Sequence, residues 1–102
     1  MTNRRILPQR RRAETFEVAA ARNSTVTVGY YDDGSIGELF INAGKSGEAI
    51  ADLLRDAAVV TSLAWQYGCP INTIRHAITR DMHGAPSSMF GVVLDQLQEG
   101  GP

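Results

Sequence analysis

Thiols are nearly absent from this chain. One cysteine, Cys69, stands among 102 residues. A lone cysteine excludes an internal disulfide, a CxxC redox pair and a cysteine-rich zinc site. Cys69 lies in the Gly68-Cys69-Pro70 turn and reads as a small buried apolar residue rather than a reactive thiol. No apolar run approaches the 18 residues of a membrane span. The start, Met1-Thr2-Asn3-Arg4-Arg5, leads into a polar arginine-rich stretch and lacks the apolar segment of a secretory signal. The expected location is therefore cytoplasmic. A nucleophile–base motif is also missing, since Ser62 has no histidine or acid paired with it in sequence. His76 and His83, with Asp81 nearby, offer two good metal ligands where zinc needs three or four. No metal, no cofactor and no catalytic residue are expected, and the chain reads as a binding or assembly protein rather than an enzyme on its own.

What is present fits one domain with one modest core. The net charge is −1, but Arg4, Arg5, Arg10, Arg11, Arg12 and Arg22 make six of the ten basic residues. Residues 1–12 form a basic arm, stiffened by Pro8, on an acidic body. Such an arm, with Arg10, Arg11 and Arg12 at its end, suits an anionic partner: nucleic acid, a nucleotide or an acidic subunit face. The bland alternative is a solvated tail. DNA is disfavoured, because the body is acidic and no helix carries a basic face.

Past residue 12 the pattern alternates. Phe16, Val18 and Ala20 mark one strand, Thr25 to Tyr31 a second and Ile36 to Asn42 a third. Asp32-Asp33-Gly34-Ser35 supplies a turn between the last two, its Asp-Gly pair suited to positive φ. The period then becomes helical. Ser46 is a plausible N-cap with Glu48 in the first turn. Ile50, Leu53, Leu54, Ala57, Ala58, Val60, Thr61 and Ala64 recur at spacings of three and four, predicting a helix to about Tyr67 that stops at Gly68. A second helix starts near Pro70–Ile71. Asp81 to Ser88 reads as a loop, and Ser87 or Ser88 caps a last helix through Leu97. Residues 13–99 thus form one α+β domain, a three-stranded antiparallel meander followed by a long helix and two shorter ones, and residues 100–102 form a frayed tail. The long helix has more apolar positions than one sheet face needs. Ala57, Ala58 and Ala64 are small enough for close helix contact, which points to a homodimer or larger assembly.

Two clusters could bind a ligand. Gly44, Lys45, Ser46 and Gly47 sit between a strand and a helix, where free amides, a lysine and a hydroxyl can hold phosphate. A nucleotide-hydrolysing P-loop is excluded, because it needs glycine at position 39, which is Leu39. The bland reading is a helix cap. His76, Arg80 and His83 share a face if the second helix extends that far, with Arg80 the strongest phosphate contact. The bland reading is a polar helix surface.

A recognisable string then emerges. Leu7-Pro8 comes first, then Val26-Thr27-Val28-Gly29-Tyr30-Tyr31-Asp32-Asp33-Gly34 and Gly37-Glu38-Leu39-Phe40-Ile41. Lys45, Gly47 and Ile50 follow, then Ser62-Leu63-Ala64 and Gln66-Tyr67-Gly68-Cys69-Pro70. This resembles the TSCPD domain at the C-terminal end of adenosylcobalamin-dependent ribonucleotide reductases, over roughly residues 4–80 and more loosely to Leu97. The family usually continues after Thr79-Arg80 with an aromatic, an acid and a proline; here Asp81-Met82-His83-Gly84-Ala85-Pro86 replaces them. The resemblance implies a reductase domain without the catalytic barrel or the redox cysteine pair. Two functions follow as expectations. One is a non-catalytic module that binds or sequesters a nucleotide-type phosphate ligand, for example a phage or mobile-element sponge for a nucleotide signal. The other is an accessory or assembly subunit of a separately encoded reductase large subunit.

Overall fold

The computed structural model describes residues 3–20, 22–45 and 47–98. Its elements run β1 (Ala13–Ala19), β2 (Asn23–Tyr30), β3 (Ile36–Asn42), α1 (Ala49–Gln66), α2 (Ile71–Ala77) and α3 (Met89–Gln98). The strands form one antiparallel sheet in the order β1-β2-β3. Phe16 pairs with Val26, and Val28 pairs with Leu39. That register gathers Val18, Val26, Val28, Leu39 and Ile41 on one buried face. Leu54, Ala58 and Trp65 of α1 and Met89, Val93 and Leu94 of α3 complete the core against it. The fold is the α+β meander-plus-helices expected from the period change.

Boundaries differ in detail. β1 ends at Ala19, one residue before Ala20, and β2 starts two residues before Thr25 and ends at Tyr30. The N-cap position of α1 is Glu48, in extended conformation, while Ser46, the expected cap, lies outside the described residues. Gly68 follows the helix at φ +99, the conformation that lets the chain turn out of the last turn at no side-chain cost. Ser88, of the two serines proposed, caps α3: its hydroxyl accepts the Gly91 N–H at 3.1 Å.

α1 also closes the outer edge of β3. The Ser62 hydroxyl accepts the Leu39 N–H at 2.8 Å, and the Gln66 side-chain amide donates to the Gly37 carbonyl at 3.0 Å. Backbone groups that an edge strand would otherwise offer to another chain are thereby satisfied internally.

The basic arm is laid on the domain. The Arg5 N–H donates to the Gln66 carbonyl, Arg4 Nε donates to Gln66 Oε1, and Tyr31 OH donates to the Arg5 carbonyl, each at 2.7 Å. The Arg5 guanidinium stacks 3.7 Å from the Tyr31 ring centroid and pairs with Asp33 at 3.0 Å. Two hydrogen bonds from Ser35, then Arg5, hold the Asp33 carboxyl down at about 2. Leu7 packs where Gly37 has no side chain; a Cβ there would meet Leu7 at 2.6 Å and Tyr31 at 2.7 Å. Arg11 pairs with Glu38, and Arg12 lies over Tyr30 at 4.2 Å. Much of the arm's positive charge thus finds its anionic partners within the chain.

Candidate functional site

The strand-to-helix turn expected to hold phosphate is occupied by the protein's own carboxylates. Glu48 Oε1 accepts the Lys45 N–H at 2.9 Å, and Asp52 Oδ1 accepts the Gly47 N–H at 3.3 Å. Arg22 donates to Glu48 at 3.1 Å. The Lys45 amide bond, then Arg22, keeps the Glu48 carboxyl below its usual range, so it is an anion at neutral pH. Gly44, at φ +148, shapes the turn. A phosphate arriving here meets two carboxylates on the described amides rather than free donors.

The second cluster is not a helix face. α2 ends at Ala77 and the chain is extended at Ile78 (φ −76, ψ 164), so only His76 of the three is helical. Local chemistry beyond it favours a tight loop. Asp81 Oδ1 accepts the N–H groups of His83 and Ala85 at 2.9 and 3.0 Å, and Arg80 pairs with Pro86 in an isolated bridge. Arg80 turns inward. Its Nε donates to the Arg75 carbonyl (3.0 Å), Nη1 to the Gly84 carbonyl (3.1 Å) and Asp95 Oδ2 (3.0 Å), and Nη2 to Asp95 Oδ1 (2.8 Å). Arg75 Nε reaches the same carboxylate at 2.9 Å. Arg80, then Arg75, holds the Asp95 carboxyl at about 2. Arg80, the arginine expected to contact phosphate, clamps α2, the following loop and α3 together. Among the described residues, no group of three or more His, Cys, Asp or Glu side chains is placed to hold a metal ion.

The feature that stands open is on α1. Its buried positions Ala51, Leu54, Ala58, Thr61 and Trp65 step by three and four along the sheet-facing side. One residue earlier at each step, Ile50, Leu53, Ala57, Val60 and Ala64 form a parallel stripe that meets no other element squarely, and Tyr67 continues it. Leu53 and Val60 are each 66% exposed. The stripe borders an apolar groove of about 460 Å³ whose walls are Leu53, Ala57, Val60, Ala64, Ile74 and Phe90. Asp56 is the one charged residue in that lining. Ala58, grouped with Ala57 and Ala64 from spacing alone, belongs to the core, not to this stripe. The seam spacing of three and four was visible in the sequence, but it was merged there with the core stripe beside it.

Cys69 lines a smaller cleft of about 230 Å³ with Arg5, Tyr31 and Trp65. Its sulfur lies 3.7 Å from the Pro70 carbonyl oxygen. Trp65 Nε1 is buried with no hydrogen-bond partner among the described residues.

Comparison with known proteins covers nearly the whole chain. A model of the TSCPD domain matches residues 2–99. A vitamin B12-dependent ribonucleotide reductase of Bradyrhizobium diazoefficiens is 35% identical over 80 residues, which is 78% of this chain and 6% of the reductase. The protein of the same name from Agrobacterium fabrum is 34% identical over 74 residues, 72% of this chain and 6% of its own length. That of Streptomyces clavuligerus is 32% identical over 88 residues, 84% and 9% respectively. The chain thus spans less than a tenth of the length of these relatives. No solved structure matches it.

Proposed function

Because the chain belongs to the TSCPD domain family, and because an apolar groove follows an outward stripe of its longest described helix, we propose that it is a non-catalytic docking and assembly module. The carrying observation is the stripe Ile50, Leu53, Ala57, Val60 and Ala64, apolar throughout and set beside, not within, the core. Contiguous apolar surface of this kind marks a place where another protein surface sits. The non-catalytic reading is supported by how the chemistry-bearing side chains are used. The Ser62 hydroxyl serves the Leu39 backbone and the Ala58 carbonyl, and Arg80 serves Asp95. The family link adds a partner class, since a domain of this kind forms part of a reductase; a separately made reductase large subunit is then a body on which it can act in trans.

Light scattering over a range from micromolar to several hundred micromolar, alone and with a reductase large subunit, tests the module reading. Leu53→Asp and Val60→Asp each place a charge in the apolar seam and are expected to weaken association at least tenfold, while circular dichroism stays unchanged. Association that survives both substitutions undiminished refutes the reading.

Nucleotide binding is the second reading. It is favoured by the side chains of Lys45, His76 and His83, which make no hydrogen bond or ion pair among the described residues. Calorimetry with nucleoside mono-, di- and triphosphates and cyclic nucleotides checks it. If the reading holds, Lys45→Ala weakens binding by about 1–3 kcal/mol, the size of a charge-assisted contact. No heat at millimolar ligand disposes of it.

A further inference from the structure

We propose that the occupant of the α1 seam is a second copy of α1, lying antiparallel about a two-fold axis between Ala57 and Val60. This rests on the docking reading above and names its partner and register.

Three features of the seam select that occupant. The first is its dimensions. It runs along an 18-residue helix about 27 Å long, so it takes a single apolar helix of similar length. The second is its spacing. Ile50, Leu53, Ala57, Val60, Ala64 and Tyr67 follow one another at three, four, three, four and three, the interval at which two helices keep a common seam. The third is reciprocity. A two-fold interface requires one patch to supply both knobs and holes. With the axis between Ala57 and Val60, Leu53 of one copy faces Ala64 of the other, and Val60 faces Ala57. Leu53 and Val60, the two most exposed aliphatic residues of the seam, each meet an alanine. Ile50 faces Tyr67 at the two ends, where crossing helices separate and both large side chains fit. A helix from an unrelated protein would not require this internal matching of large to small.

Charge is compatible with self-pairing. An identical copy brings identical charges, and the six seam residues carry none. Asp56, the charged residue at the groove, lies level with position 61 of the other copy in this register, and Thr61 is uncharged and turned into that copy's own core. Antiparallel packing also sets the helix dipoles head to tail. Six side chains from each copy are far fewer than the roughly 20–30 residues a side of a standard interface, so the pair is a concentration-dependent dimer, not an obligate one.

Disulfide trapping reads the register. In a Cys69→Ser background, Leu53→Cys and Ala64→Cys are made separately and mixed, then oxidised mildly at concentrations where scattering shows dimer. Leu53 and Ala64 of opposite copies are neighbours, whereas Leu53 is displaced from its own mate by roughly 16 Å along the axis, eleven residues at helical rise. The expected result is a covalent dimer in the mixture and none with either variant alone. A covalent dimer from Leu53→Cys alone indicates parallel pairing and overturns the proposal. A dimer by scattering that gives no cross-link in the mixture also overturns it, while leaving the docking reading intact. So does a chain that stays monomeric throughout yet binds a reductase large subunit through Leu53 and Val60. Failure of the docking reading itself is recognised differently, by association that Leu53→Asp and Val60→Asp leave untouched. Because Leu53→Cys shortens an exposed side chain, circular dichroism of each variant confirms that it folds.

Discussion

Leu94→Ala is expected to destabilise the domain by about 2–5 kcal/mol, the range for deleting a fully buried leucine without complete collapse of the site. Leu94 is wholly inaccessible to solvent. It lies on α3, the last described element, and packs into the cluster with Val18, Val26 and Val28 of the first two strands. Its removal therefore weakens the contact that ties the end of the chain to its beginning. Small domains have total stabilities of about 5–15 kcal/mol, so this one change removes a large share. The check is urea unfolding, with a lower midpoint and an unchanged slope. Val60→Ala is the control: at 66% exposure it is expected to change monomer stability by no more than about 0.5 kcal/mol. Equal effects of the two would mean that α3 does not pack as described.

Asp95→Asn is expected to have the next largest effect, about 1–3 kcal/mol, because it leaves Arg75 and Arg80 without the charge their guanidiniums are turned toward. Both arginines and Asp95 are only about one-fifth exposed in their side chains, so water replaces the lost partner poorly. The pH dependence has a definite sign. The Asp95 carboxyl is lowered to about 2 in the folded protein, by Arg80 first and Arg75 next, from about 3.9 in an unfolded chain. A depressed carboxyl stabilises the fold fully above its unfolded value, and that contribution disappears as pH falls through the folded value. The stability gap between wild type and Asp95→Asn should accordingly be constant from neutral pH to about 5 and close between roughly 4 and 2. Asp33 also titrates near 2, but it is present in both proteins and cancels in the difference. Thermal unfolding at a series of pH values measures the gap. A gap that persists at pH 2 would show that Asp95 does not act through its charge.

These two sites illustrate where sequence reasoning was sufficient and where it was not. Alternation in Val26 and Val28, followed by the three-and-four spacing after Ile50, is enough to place strands and helices, because side-chain period is a local property of backbone geometry. The Asp33-Gly34 turn, the stop at Gly68 and the cap at Ser88 are likewise local. The motifs from Val26 to Pro70 were enough for the family. The internal partners of several arginines were not legible, for the opposite reason. A cationic side chain looks available until its acceptor is known, and the acceptors are far along the chain: Glu38 for Arg11, Asp33 for Arg5, Asp95 for Arg80. The same holds at Lys45 and Gly47, where the turn was correctly placed. There Glu48 and Asp52 fold back onto amides that spacing alone presents as free.

By itself, then, the sequence determined the class of fold, the order and rough limits of its elements, the turn chemistry between them and the family, all of which depend on residues near one another in the chain. Only the tertiary structure decided which of two adjacent stripes on α1 faces the sheet. Ala51, Leu54, Ala58, Thr61 and Trp65 differ from Ile50, Leu53, Ala57, Val60 and Ala64 by one step, about 100° around the helix. Both stripes are apolar enough to be core. Packing against Leu39 and Ile41 buries the first, and Ile50, Leu53 and Val60 of the second stay exposed.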